Sequence, residues 1–218
     1  MDPTAIIVGH SFVKRYAAWI GSRHTNAPAS PRAICNRVSD LQLLGQSGLS
    51  SQDLHNGEFL FQASKHDIVI LDCATNDLAN GASVVETANN VLLFARRCLQ
   101  DGATIVYIAS VLPRSRRITC TPEEFRDIAD EYNTYLKQIC VPERCISFHR
   151  LTGFTHTQES VHSKVEQPMN HWSEDGIHPS VRRSQNNTKS GMEKYHQAIK
   201  TALHRAAQTY RRISAHNW

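Results

Sequence analysis

Short β-branched runs alternate along the chain with longer stretches whose apolar residues recur at helical spacing. Ala5–Val8 runs straight into Gly9 as an apolar strand; Asp67–Asp72 (D-I-V-I-L-D) and Ala103–Ala109 (A-T-I-V-Y-I-A) have the same character, and weaker strands are predicted near Leu41–Leu44 and Cys145–Phe148. Continuous apolar runs of this length suit strands covered on both faces, whereas a half-exposed strand would alternate. Between them, Phe12–Gly21, Ser50–Ser64, Val84–Leu99, Pro122–Cys140 and Met192–Thr209 read as helices. Thr121-Pro122-Glu123-Glu124 starts the fourth of these, since proline fits a first turn and acids complement the helix dipole. Strand and helix in alternation predict an α/β fold: a three-layer α/β/α sandwich around a parallel sheet of about five strands with flavodoxin-like order. Right-handed crossovers then put functional groups in the loops after the carboxyl ends of the strands. Arg23–Pro31 reads as a surface loop, and Gly153–His171 as a long polar connection leading towards Asp175.

At 218 residues and 40% hydrophobic content, the chain fits one domain over residues 1–218, ending in a basic helix and tail from about residue 189. No apolar run approaches the roughly 20 residues that span a bilayer. The Met-Asp-Pro start lacks the basic and apolar regions of a signal peptide, so an intracellular protein, cytoplasmic or nuclear, is expected. Six cysteines without a CxxC pair fit reduced thiols better than a disulfide framework. Cys140, Cys145 and His149 lack the second close pair of a zinc site, so no metal is assigned, and nothing calls for a cofactor. The triplet at Asn186 is a formal glycosylation sequon that matters only in a secreted chain. A net charge of +4 is too small to argue for nucleic acid by itself.

Four segments carry candidate chemistry, and each has a plainer reading. Gly9-His10-Ser11-Phe12 places Ser11 at a strand-to-helix junction, where a hydroxyl is presented outward as a nucleophile or simply caps the helix. Gly45-Gln46-Ser47-Gly48-Leu49 follows the next strand; Gly48 would bring a bare backbone N–H near a substrate, or make an ordinary turn. In Ala74-Thr75-Asn76-Asp77, the Asn76 amide suits a developing oxyanion, or a turn. In Glu174-Asp175-Gly176-Ile177-His178-Pro179, an acid three residues before a histidine can hold its imidazole in one tautomer, or both belong to a surface turn.

Taken together and in this order, the segments resemble the SGNH (GDSL-like) hydrolase family. Its blocks read G-D-S after a first strand, then a glycine, then G-x-N-D, then D-G-x-H-P before a terminal helix. The resemblance spans about residues 5 to 205, and D-G-I-H-P is its most specific match. It implies Ser11 as nucleophile, Asp175 and His178 as acid and base, and Ser11, Gly48 and Asn76 as oxyanion donors. Two positions depart from the pattern: His10 stands where the family has Asp, and Ala74 where it has Gly. The G-x-S-x-G elbow of α/β-hydrolases is absent.

The implied activity is that of a serine esterase or deacylase acting on a carboxylic ester, with short acyl groups such as acetyl favoured because no extended apolar lid is evident. Phe12, Leu112 and Trp172 are candidates to line an acyl pocket, or core packing. Arg114, with Arg116, Arg117, Arg182 and Arg183, would surround the mouth and suit an anionic group on a carbohydrate, lipid or small-molecule ester; the plainer reading is a solvated basic rim. The alternative function is a catalytically silent module of the same fold binding an acidic or acylated partner. Nucleic acid enters only as a neighbour within a larger protein, and no membrane span is expected.

Overall fold

A computed structural model describes residues 2–23, 34–113, 120–152, 154, 172–173, 178–181 and 189–216. Five strands, β1 (Thr4–Gly9), β2 (Asp40–Gly45), β3 (Ile68–Asp72), β4 (Ile105–Ala109) and β5 (Ile146–His149), form one sheet of order β2-β1-β3-β4-β5. Every pairing is parallel, and Gly9 lies level with Gly45 on one side and Asp72 on the other. The helices are α1 (Ser11–Arg23), α2 (Gly57–Ala63), α3 (Thr75–Ala79), α4 (Val84–Gln100), α5 (Pro122–Cys140) and α6 (Gly191–His216). The strand order reverses at β1 and β3, and the crevice above such a switch point is where open α/β sheets place their ligands.

Because β1, β3 and β4 are covered on both faces, their residues divide by parity between two cores. Ile6, Val8, Val69, Leu71, Val106 and Ile108 pack against α2, α4 and α5. Ala5, Ile7, Ile68, Ile70, Ile105 and Tyr107 pack against α1 and α6 through Val13, Tyr16, Tyr195, Ile199 and Leu203. Thr121 and Glu124 form the reciprocal capping box that starts α5, with Pro122 in the first turn. Among the described residues no helix is long and apolar enough to cross a membrane.

Two elements differ from expectation. The helix predicted over Ser50–Ser64 is a 3-10 turn, Asp53–His55, followed by α2, because Asn56 is extended between them (φ −60°, ψ 130°). Ser50 sets the turn apart: its N–H and hydroxyl both donate to Asp53 Oδ2, at 2.8 and 2.7 Å, and these bonds lower the Asp53 pKa. The other difference is α3, a single helical turn starting directly after β3 where only a turn or cap was expected. Its preceding residue, Ala74, is left-handed at φ 78°, which explains a glycine in the family pattern at that position.

Candidate active site

The first turn of α1 is built by close backbone contact. A Cβ on Gly9 would lie 2.2 Å from Asp72 O, so only glycine lets β1 end against β3 there. His10 N–H then donates to Asp72 O at 3.1 Å, and His10 O accepts from Val13 N–H at 3.1 Å, opening the helix. Ser11 is its first residue and is half-buried. Its hydroxyl lies 2.8 Å from Nε2 of His178, although 167 positions separate the two residues in sequence.

Several contacts hold His178. Its carbonyl accepts from Ser173 N–H at 2.8 Å and from the Ser173 hydroxyl at 3.1 Å, and Trp172 pairs with Pro179 in an antiparallel bridge. Two residues on, Ser180 O accepts from Met192 N–H at 2.9 Å and Ser180 Oγ from Gly191 N–H at 3.0 Å, tying the segment to the start of α6. The Phe12 ring packs edge-on against the imidazole at 5.7 Å. For Nε2 to accept the Ser11 proton, the ring's own proton must sit on Nδ1. Asp175, expected to hold the imidazole in that tautomer, lies outside the described residues.

The two other segments meet each other. Gly48 is exposed with φ +77°, a conformation that favours glycine. Asn76 Nδ2 donates to Leu49 O at 2.9 Å. Buried Asp77 accepts from Ser51 N–H with both carboxylate oxygens, at 2.9 and 3.0 Å, and from the Ser51 hydroxyl at 2.8 Å. The Asn76-Asp77 pair therefore staples the Gly48 loop to the start of α3. Sequence reasoning used the Asn of this block and missed the Asp; the fourth letter of the family pattern was the available signal.

Phe12 and Leu112 are buried, while Trp172 is half-buried and packs on Phe12 at 6.2 Å and Phe154 at 5.9 Å. Arg114, Arg116, Arg117, Arg182 and Arg183 lie outside the described residues, as do Asn186 and most of Gly153–His171. All six cysteines are free thiols. Burial pushes the Cys98 pKa up to about 12 and that of Cys140 up to about 11. Among the described residues, no group of three or more His, Cys, Asp or Glu side chains is placed to hold a metal ion.

A five-stranded parallel α/β/α sheet carrying a serine and a histidine in contact above its switch point belongs to the class of GDSL-like, or SGNH, hydrolase folds. The model of the GDSL-like Lipase/Acylhydrolase family matches residues 7–185, and the chain belongs to that family. A catalytic mutant of an acetylxylan esterase from Geobacillus stearothermophilus is similar in fold at 15% identity, with TM-score 0.61 and 94% of each chain covered. A GDSL-like lipase from Bacteroides thetaiotaomicron is 18% identical, with TM-score 0.56, over 93% of this chain and 88% of that one. A psychrotrophic esterase from a Pseudoalteromonas species, inhibited by monoethylphosphonate, is 12% identical with TM-score 0.58, over 95% and 97%. No curated protein matches the chain.

Proposed function

We propose that the protein is a carboxylic-ester hydrolase or deacylase that works through an acyl-serine. The observation that carries this reading is the 2.8 Å contact between Ser11 Oγ and His178 Nε2 in a chain of this family. Ser11 Oγ attacks the ester carbonyl as its proton passes to His178 Nε2. The tetrahedral oxyanion is held by the N–H groups of Ser11 and Gly48 and the Asn76 amide. As the intermediate collapses, the bond to the alcohol oxygen breaks and His178 returns the proton to that leaving oxygen. Water then gives a proton to His178 and attacks the acyl-serine; the acid leaves and Ser11 recovers its hydrogen. Asp175 is assigned the role of orienting the imidazole and stabilising its charged form.

Short acyl groups are the favoured substrates: the sequence offers no extended apolar lid, and the structural relatives include an acetylxylan esterase. p-Nitrophenyl acetate and a fluorophosphonate probe test the reading. Wild type should hydrolyse the ester and be labelled at Ser11, Ser11→Ala should do neither, and Asn76→Ala should lose about 10²–10³-fold in kcat. Equal labelling of wild type and Ser11→Ala, or none of either, overturns the enzyme in favour of a binding module.

A further inference from the structure

His10 fills the position that holds Asp in the family's first block, and its ring is fully buried. It immediately precedes α1, the N-cap position, where a side-chain acceptor can take a backbone N–H that the helix leaves unpaired. His10 Nδ1 does this, accepting from Phe12 N–H at 3.4 Å, while the ring edge packs on Phe12 at 4.4 Å. Since Nδ1 is an acceptor, the ring proton is on Nε2. Nε2 faces Thr75 Oγ1 at 3.1 Å, with Asp72 Oδ1 at 3.6 Å. The other Asp72 oxygen accepts a short hydrogen bond from the hydroxyl of Tyr195 on α6. Thr75, Asp72 and Tyr195 are all buried. Polar contacts from β3, itself bonded to α6, and from α3 thus converge on His10, which caps Phe12 across Ser11.

We propose that His10 is a positioning residue for the nucleophile: a histidine cap, held by Thr75 with Asp72 close by, that fixes the backbone on both sides of Ser11 and thereby aims its hydroxyl and N–H. This rests on the esterase reading of Ser11. Aspartate caps helices well in general. Here an Asp at position 10 would face Asp72 across a buried space, and two carboxylates cannot both ionise there without large cost. Histidine resolves the conflict by accepting on one side of its ring and donating on the other.

Asn and Gln variants separate the two sides of the ring. The Asn side-chain oxygen reaches the place of Nδ1 and can cap Phe12 N–H, whereas the Gln amide reaches towards Thr75 and Asp72 and leaves the cap unmade. The measurements are fluorophosphonate labelling rate, kcat and KM on p-nitrophenyl acetate, and the melting temperature of each variant. His10→Gln should lose about 10²-fold in kcat and labelling rate with KM little changed, as misaligning a reacting group does. His10→Asn should keep most of both. His10→Asp should fall as far as His10→Gln, and adding Asp72→Asn should restore at least about tenfold of the loss, a rescue by charge removal that lost packing alone would not give.

A folded His10→Gln with wild-type kcat overturns the proposal, as does a His10→Asp/Asp72→Asn protein no better than His10→Asp. Should His10→Asp fail to fold, the contrast between Asn and Gln decides. Wild type that is not labelled at all is a different failure: it removes the esterase reading, and this inference with it.

Discussion

Gly45 ends β2 directly beneath α1, and a Cβ built there would lie 2.2 Å from Lys14 N and 2.7 Å from Lys14 Cα. Both neighbours are backbone, so no side chain can swing aside; either α1 lifts or β2 withdraws. Gly45→Ala should therefore cost about 3 kcal/mol, at the upper end for overpacking. In a chain of this size that corresponds to a fall of roughly 6–12 °C in Tm, read by a thermal melt. An unchanged Tm would show that α1 and β2 can separate there at little cost. Fluorophosphonate labelling should fall as well, since α1 carries Ser11. Ala74 is the opposite case: it keeps a left-handed backbone without being glycine, a strain of about 1–2 kcal/mol. The chain retains it with a methyl buried against the core, and burial of one carbon returns about 0.8 kcal/mol of that strain.

Among the elements, the strands were the most legible, because a sheet covered on both faces demands uninterrupted apolar runs and the chain supplies them at β1, β3 and β4. The segments bearing Ser11, Gly48 and Asn76 were legible for a related reason: each directly follows a strand. The split at Asn56 was hidden by apolar spacing that continues across it, since Leu54, Phe59 and Leu60 share one core whichever way the backbone turns. The partners of His10 were hidden for another reason. Its contacts with Thr75 and Asp72, and through Asp72 with Tyr195, join positions that no periodicity links. Strand β5 gives a prediction at this scale. Its last residue, His149, is buried and its pKa is lowered, chiefly by burial and then by Arg205, with the Ala198 carbonyl opposing. A histidine with a depressed folded pKa is protonated first in the unfolded chain. Stability is therefore full above the unfolded value of about 6.5 and declines as pH falls through it towards the folded value. Urea unfolding between pH 7.5 and 5 should show this decline. It should be shallower in His149→Gln but not abolished, because the His204 pKa is lowered too, by desolvation and then by Arg37 and Lys200. Identical slopes in wild type and variant would show that His149 does not contribute.

For the whole molecule, the question is whether the two cores behave as one. They lie on opposite faces of the same strands: Ile6 and Val8 of β1 serve one core, Ala5 and Ile7 the other, so neither can come apart without stripping one side of a strand that the other still needs. The buried cysteines report on each face separately. Cys73, Cys98 and Cys140 lie in the core beneath α2, α4 and α5, and Cys35 in the core beneath α1 and α6. Burial raises the pKa of all four, so in the folded protein they are screened both by packing and by lack of thiolate. Cys120 and Cys145 are partly exposed and should react first with a thiol reagent at pH 8 in native buffer. When alkylation is pulsed at increasing urea and each cysteine is read by mass spectrometry, the four buried thiols should become reactive at one shared midpoint, as a two-state domain requires. Cys35 reacting at distinctly lower urea than Cys73 and Cys98 would mean that the α1–α6 face opens by itself. Since α1 carries Ser11 and the start of α6 anchors the His178 segment, the same opening would separate serine from histidine, and fluorophosphonate labelling would fall at the Cys35 midpoint while the other core stayed closed.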